Sequence, residues 1–319
     1  MMDIVCIGEL LTDLLPAGES ENAYPLFEFN PGGAPANVAA AAARLGARVA
    51  FIGKTGDQPL DWLLIRALEK RHVDVSGIIR DPGENTSLSV VHLDARGERS
   101  FSFFGEHPAD LALRPEDLRE DLIRGCRMLH FGARTLLSST GKASVEAACT
   151  LARHSGALIS FDPNIRPALW KSADQARADS LWGMDHADLI KLSLEELRLV
   201  DAGGSVESVI SSLNTKGKRC VVTNGREGAW VQGKEEVEHI PTYPVPSEDS
   251  TGAGDAFWGA FLYAWVYRPG MPVTDMVRMA CAAGALATTK KGAMTTQPVL
   301  EEIRRLMEES SGGKVSPGG

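Results

Sequence analysis

Apolar positions along the chain fall into short continuous runs separated by stretches of helical spacing. Ile4 to Ile7 is an apolar run ending at Gly8, the pattern of a buried strand. Gly32-Gly33-Ala34-Pro35 then opens a helix, because proline suits a first helical turn, and Gly46 sits where a C-terminal cap belongs. Arg48 to Ile52 reads as the next strand. Leu60, Leu63, Leu64, Ala67 and Leu68 repeat at helical spacing, which predicts an amphipathic helix over 58–71. Further strands are predicted at Ala157 to Phe161, Asp188 to Lys191 and Cys220 to Thr223, with an acidic helix start at Glu195-Glu196. Helices over about 253–267, 274–289 and 297–309 follow. Alternating strands and helices predict an α/β fold with a parallel sheet covered on both faces.

The stretch 86–104 breaks that rhythm. Ser100-Phe101-Ser102-Phe103 alternates with a period of two residues, as do Leu88 and Val90, with Asp94 to Glu98 between them. This predicts a β-hairpin rather than a strand–helix–strand unit. One hairpin is not stable alone in water. It must therefore lie on something, either the segment 9–30 or another subunit. The tail from Ser310 is rich in Gly, Ser and Pro, which predicts disorder over 310–319. Residues 1–309 show no repeat and no linker and are read as a single domain.

Composition narrows the partners more than the fold. Of the 319 residues, 44% are apolar and 24% charged, ordinary for a globular protein. The net charge of −9 argues against a nucleic-acid partner. Cysteines at 6, 126, 149, 220 and 281 are scattered with no C-x-x-C pair, which argues against a disulfide framework or zinc ribbon and fits a reducing compartment. Asp3, Glu9 and Asp13 interrupt the N-terminal apolar run, so it does not read as a signal peptide, and no early stretch is long enough to span a bilayer. The expectation is a cytoplasmic protein without a membrane partner.

Candidate chemistry lies at the strand ends, where ligands gather in open parallel sheets. Asp13, Gly32, Gly33, Asp162, Asn164, Arg166, Lys191, Asn224 and Gly225 all follow predicted strands or short runs. Singly, each is explained by a turn or a cap. Two phosphate motifs fail. Gly53-Lys54-Thr55 ends like a P-loop, but position 48 is Arg where that motif needs Gly. Gly252-Ala253-Gly254 starts like a dinucleotide fingerprint, but its third glycine is replaced by Phe257. A nicotinamide dehydrogenase fails on that residue.

The same segment fits a helix N-terminus. Glu248 to Thr251 is a polar lead-in, and Ala256, Phe257, Ala260, Phe261 and Ala264 form an apolar face. Free N–H groups and the helix dipole favour an anion there, and the glycines let it approach the backbone. Asp255 falls in the first turn, where its pKa is expected at or below about 3.9. Such a carboxylate could take a proton from a hydroxyl while the amides hold a transferring phosphoryl group. On the residues alone, a plain first-turn acid beside tight-packing glycines is an equal reading.

Two longer signatures break that tie. Pro31 to Val38, continued by Leu45-Gly46 and Gly53-Lys54-Thr55-Gly56-Asp57, and Asp249 to Phe257 resemble the ribokinase-like (PfkB) carbohydrate kinase family over residues 3–305. Phe161-Asp162-Pro163-Asn164-Ile165-Arg166, Leu169-Trp170, Lys191-Leu192-Ser193, Glu195-Glu196 and Lys291 to Thr295 resemble bacterial fructokinases within it. The resemblance implies a three-layer α/β/α fold with a mostly parallel sheet and a small β lid from about 9–30 and 86–110. It implies ATP-dependent phosphorylation of a sugar, most like D-fructose at its 6-hydroxyl, with Mg2+ and with K+ as a further ion. Carried over, Asp255 is the base, Gly252, Ala253 and Gly254 form the anion hole, and Arg166 stabilises charge. Asp13, Gly32, Gly33 and Asn37 hold the sugar. Asn164, Lys191, Ser193, Thr223, Gly225 and Gly228 serve the nucleotide. Glu196 holds Mg2+ through water, although Ser193 stands where the family often has Asn. Asp249, Thr251 and Gly292 form a monovalent-cation site. The lid pairing subunits implies a homodimer. Aminoimidazole riboside kinase and 2-keto-3-deoxygluconate kinase are the alternatives within the family, and a non-catalytic sugar or nucleotide sensor is the alternative outside catalysis. A sugar acid would need a cation in the acceptor pocket, for which Arg96, Arg99, His107 and Arg134 are candidates.

Overall fold

The computed structural model describes residues 2–93, 99–104 and 108–312. The chain runs β1 (Ile4–Ile7), β2 (Leu11–Glu19), β3 (Pro25–Gly32), α1 (Ala34–Arg44), β4 (Val49–Thr55), α2 (Pro59–Glu69), β5 (Val73–Arg80), β6 (Leu88–Leu93) and β7 (Arg99–Phe104). It continues with α3 (Glu120–Arg124), β8 (Met128–Gly132), α4 (Ser139–His154), β9 (Leu158–Asp162), α5 (Ala173–His186), β10 (Leu189–Ser193), α6 (Leu194–Val200), α7 (Val206–Thr215) and β11 (Arg219–Thr223). Last come β12 (Ala229–Gln232), β13 (Val237–Ile240), α8 (Ala253–Tyr267), α9 (Val273–Ala287) and α10 (Leu300–Gly312).

Nine strands form the central sheet in the order β13-β12-β11-β10-β9-β8-β1-β4-β5. Strands β5 through β11 in that order pair in parallel, and β12 and β13 add an antiparallel edge. The sheet separates two cores by the two-residue alternation of its strands. Ile4, Cys6 and Phe51 pack with α1, α8 and α9, while Val5, Ile7 and Ile52 pack with residues of α4, α6 and α7 on the other side. The fully buried β1 therefore reads as a continuous apolar run.

The hairpin expected over 86–104 is present as β6 and β7, and it finds its support within the chain. It joins β2 and β3 in a separate sheet ordered β3-β2-β6-β7. The Asp94 to Glu98 connection lies outside the described residues. The last helix runs on to Gly312 rather than stopping at 309, and the rest of the tail expected to be disordered also lies outside them. Among the described residues, no helix is long and apolar enough to cross a membrane.

Packing between α1 and α8 positions the chemistry. Helix α1 is a near-continuous alanine run, and Gly259 of α8 sits against it: a Cβ there would stand 2.5 Å from Ala41 Cβ. Small residues on both helices let the axes approach closely. Trp258, fully buried next to Gly259, donates its indole N–H to Ser160 Oγ of β9 at 2.9 Å and stacks on Phe261. Helix α8 is thereby locked to both α1 and the sheet, at the end where its first turn carries Asp255.

Candidate active site

Asp255 is 5% exposed, in the first turn of α8. Asn37 Nδ2, from α1, donates to its Oδ2 at 2.8 Å, and Asn164 Nδ2, from the loop after β9, donates to its Oδ1 at 3.1 Å. Both oxygens are thus aimed by side chains from separate elements. Asn164 holds φ of 45°, a left-handed conformation that Asn tolerates better than most residues. The expected low pKa is corrected here: burial pushes the Asp255 carboxyl up to about 6, the Asn37 bond opposes this, Asp162 adds to it, and Lys191 and Arg166 pull it down. The first-turn position predicted a stabilised charge, but only the tertiary structure buries the side chain, and desolvation outweighs the dipole.

The turn into α8 depends on Gly252. Its φ is 73°, and a Cβ would meet Ala293 Cβ at 2.8 Å, so a side chain there is both strained and crowded. Ala253 N donates to Ser250 O at 3.3 Å, while Ala253 and Gly254 line a cleft of about 730 Å3. The predicted Thr223, Gly225 and Gly228 line the same cleft from the end of β11 and the turn after it. Its apolar wall was not legible beforehand: Tyr243, Val245, Phe257, Cys281 and Ala285 come from the 241–247 loop and from α8 and α9. Their spacing carries the ordinary signal of helix packing, which does not distinguish a cleft wall from a core.

Lys191 stands below this turn. Its Nζ donates to Asp162 Oδ2 at 2.7 Å, with both side chains nearly inaccessible, and lies 3.5 Å from where a Gly254 Cβ would be. Burial acts to lower the Lys191 pKa, but the carboxylates of Asp162, Glu196 and Asp255 outweigh it and raise it, so the amine stays charged. Glu196 and Ser193 form a reciprocal cap at the start of α6: Ser193 Oγ accepts from Glu196 N, and Glu196 Oε2 accepts from Ser193 N at 2.7 Å. Glu196 Oε1 also accepts from Ile165 N at 2.7 Å, tying the Asn164–Arg166 loop to β10. Arg166 is exposed at this loop, near enough to act on the charges of both Asp13 and Asp255.

The other expected sugar-binding residues meet across β2, β3 and α1. Asp13 Oδ1 accepts from Ser89 Oγ of the hairpin at 2.8 Å, and burial raises the Asp13 pKa against the pull of Ser89, Arg166 and Arg134. A Cβ on Gly32 would overlap Asp13 Oδ2 at 2.2 Å. Gly33, with φ of 109°, rests on Glu9, whose carbonyl oxygen would lie 2.3 Å from a Cβ. Asn37 Oδ1 is buried and meets no donor among the described residues. An acceptor atom of this kind, two bonds from the amide that grips Asp255, suits a ligand hydroxyl.

Asp249, Thr251 and Gly292 also come together. Asp249 Oδ1 accepts from Thr251 N at 2.7 Å and Oδ2 from Gly292 N at 3.1 Å. The carboxylate thus clamps the loop before α8 to the loop after α9. Among the described residues no group of three or more His, Cys, Asp or Glu could cage a metal ion. Of the four cations considered for a sugar acid, Arg134 is committed: its Nε donates to Asp110 Oδ2 at 2.7 Å. Arg96 and His107 lie outside the described residues.

A buried acid on a glycine-shaped helix start, beside a cleft fed by the ends of parallel strands, is a phosphotransfer arrangement on an α/β sheet. Residues 1–300 match the family model described as pfkB family carbohydrate kinase, and the chain belongs to that family of sugar kinases. Fructokinase-1 of Oryza sativa subsp. japonica is 38% identical over 316 residues, covering 96% of this chain and 98% of the relative. A fructokinase of Xylella fastidiosa solved with bound ATP superposes with a TM-score of 0.87 at 32% identity, covering 97% of this chain and 99% of that one. The Vibrio cholerae O395 fructokinase in its fructose, ADP and calcium form gives 0.85 at 34% identity, covering 96% and 99%.

Proposed function

We propose that the protein transfers the γ-phosphoryl group of ATP to the 6-hydroxyl of D-fructose, giving fructose 6-phosphate and ADP. The observation that carries this reading is Asp255, buried between Asn37 and Asn164 and next in sequence to the two residues that line the cleft. The relatives of the same length are fructokinases, and the Vibrio cholerae neighbour was solved with fructose and ADP.

In this reading Asp255 accepts the hydroxyl proton as the sugar oxygen bonds to the γ-phosphorus. The bond from that phosphorus to the bridging oxygen of ADP breaks. The amides of Gly252 to Gly254 and the charge of Lys191 stabilise the transferring group, and Arg166 adds charge from the mouth of the site. Asp13 and the open Oδ1 of Asn37 take sugar hydroxyls, with Gly32 and Gly33 keeping the approach clear. Thr223, Gly225 and Gly228 serve the nucleotide, with Asn164 and Ser193 shaping the loops beside it. The absence of a carboxylate cage among the described residues suits Mg2+, which binds through phosphates and water rather than a full protein shell. Glu196 would reach it through water. Asp249, Thr251 and Gly292 would hold K+ by loop geometry. We also propose a homodimer through the lid, whose Tyr24, Leu26 and Phe27 are 70%, 46% and 41% exposed. The chain is read as one kinase domain over 1–309.

A coupled ADP-release assay with fructose, ribose, aminoimidazole riboside and 2-keto-3-deoxygluconate tests the acceptor. Fructose should give the highest kcat/KM. No turnover of fructose at millimolar concentration would sink the assignment, and a preference for the sugar acid would mean that a cation other than Arg134 faces the pocket.

A further inference from the structure

His130, Ser160 and Trp258 form a buried polar chain beneath the site, and no step of phosphoryl transfer uses it. His130 lies in β8 opposite Ser160 in β9, and its Nδ1 stands 3.0 Å from Ser160 Oγ. Trp258 of α8 donates its indole N–H to the same oxygen at 2.9 Å. These are the two partners of that hydroxyl among the described residues.

The chemistry of the three groups fixes the order of the protons. An indole N–H can only donate, so Ser160 Oγ accepts from Trp258. The hydroxyl keeps its own proton, and His130 Nδ1 is the one acceptor beside it. Were Nδ1 protonated, Ser160 would hold a buried donor with no acceptor, a costly state. His130 is therefore neutral, with its proton on Nε2. Burial and the charge of Lys191 push the His130 pKa down to about 3, in agreement with that form. In this order Nδ1 holds the hydroxyl proton and keeps a lone pair of Ser160 turned toward Trp258, so the two bonds reinforce each other.

The chain joins two elements that aim Asp255. Trp258 lies three residues past Asp255, on the same side of α8. Ser160 shares a face of β9 with Asp162, and Asn164 follows two residues on. Near the cleft, Asn164 Nδ2 donates to Asp255 Oδ1 at 3.1 Å, and deeper in the fold Trp258 Nε1 donates to Ser160 Oγ. These bonds bracket the contact between β9 and α8. Apolar packing alone, such as Trp258 on Phe261, is non-directional and tolerates a slide of the helix along the strand. A directional bond between buried side chains does not.

We propose that Ser160, its hydroxyl oriented by His130, is a positioning residue for Asp255, fixing α8 against β9 so that the carboxylate meets Asn164 and the acceptor. The proposal rests on the reading that Asp255 is the base.

The test pairs kinetics with hydrogen exchange of the Trp258 indole proton, followed by NMR, on Ser160→Ala, His130→Leu and His130→Asn. Ser160→Ala removes the hydroxyl. His130→Leu removes only the acceptor that orients it, and Asn restores an acceptor oxygen near the place of Nδ1. Ser160→Ala should lower kcat at least about tenfold with both KM values within about twofold, since a small misplacement of a reacting group costs rate. His130→Leu should lower kcat about fivefold, and His130→Asn should stay within about twofold of the unaltered protein. The indole proton should exchange at least about tenfold faster in Ser160→Ala and His130→Leu, and return close to its original rate in His130→Asn. An unchanged kcat in Ser160→Ala, a loss that falls on KM, or equal losses in the two His130 variants would overturn the proposal. Should Ser160→Ala fail to fold, Trp258→Phe provides the same kinetic test, because it removes the N–H and keeps a ring against Phe261. Absence of turnover with every sugar in the unaltered protein would defeat the kinase reading. The exchange measurement needs no activity and then decides alone: an indole proton equally protected in His130→Leu would overturn the positioning.

Discussion

Replacing Asp255 by Asn should abolish catalysis and strengthen the fold at once. The carboxyl rises from 3.8 to about 6 on burial. At about 1.4 kcal/mol per pKa unit, that rise amounts to about 3 kcal/mol of differential cost for carrying the charge in the folded state. The folded pKa exceeds the unfolded one, so the cost is fully present above pH 6 and absent below the unfolded value. Asp255→Asn should therefore raise stability by up to about 3 kcal/mol at pH 7.5 and by almost nothing near pH 3.5. Asn37 can accommodate the change, because turning its amide offers Oδ1 to the new amide in place of Nδ2. Activity moves the other way: kcat should fall at least about 100-fold, as for loss of a general base. In the unaltered protein kcat/KM should drop to about a tenth between pH 7.5 and pH 5, following the ionised fraction of a group titrating near 6. Urea denaturation at both pH values and a pH series of initial rates check these points. A variant that keeps more than half the activity would refute the role of Asp255, and one that is less stable at pH 7.5 would refute the desolvation argument.

Two further substitutions probe the surrounding frame. Gly33→Ala must place a Cβ 2.3 Å from Glu9 O at a φ of 109°, so the acceptor loop has to move; the acceptor KM should rise at least about tenfold, while nucleotide affinity, read by calorimetry, should hold. Lys191→Met leaves Asp162 buried without its 2.7 Å partner and should cost about 3–5 kcal/mol in denaturant unfolding, whereas a loss under about 1 kcal/mol would show that the pair is solvated.

Much of the fold was legible because central strands buried on both faces are mostly apolar. Ile4–Ile7 and the Cys220–Val222 centre of β11 stand out for that reason, and α8 matched its expected 253–267 limits. The hairpin was legible from its period of two, but whether it rested on residues 9–30 or on a second chain was a question of contacts. Strands β5, β8, β12 and β13 escaped notice: β5 mixes Asp74 and Ser76 into an edge strand, β8 lies centrally but has His130 and Gly132 in its five residues, and β12 and β13 are four-residue strands on the opposite edge. Short edge strands carry too few residues for a periodic signal.

For the site, the sequence alone determined which residue types stand at the strand ends and that Gly252 to Asp255 begins a helix. Those are local properties, set by turn chemistry and periodicity within a few residues. The tertiary structure decided the rest. Asn37 lies 218 positions from Asp255 and Asn164 lies 91 away, yet both grip the same carboxylate. The small residues that let α8 close on α1 serve no local rule and show their purpose only in contact. The protonation behaviour of Asp255 was likewise a tertiary outcome, because a helix dipole can be read from neighbours in sequence, whereas exclusion from water depends on every element packed around the group.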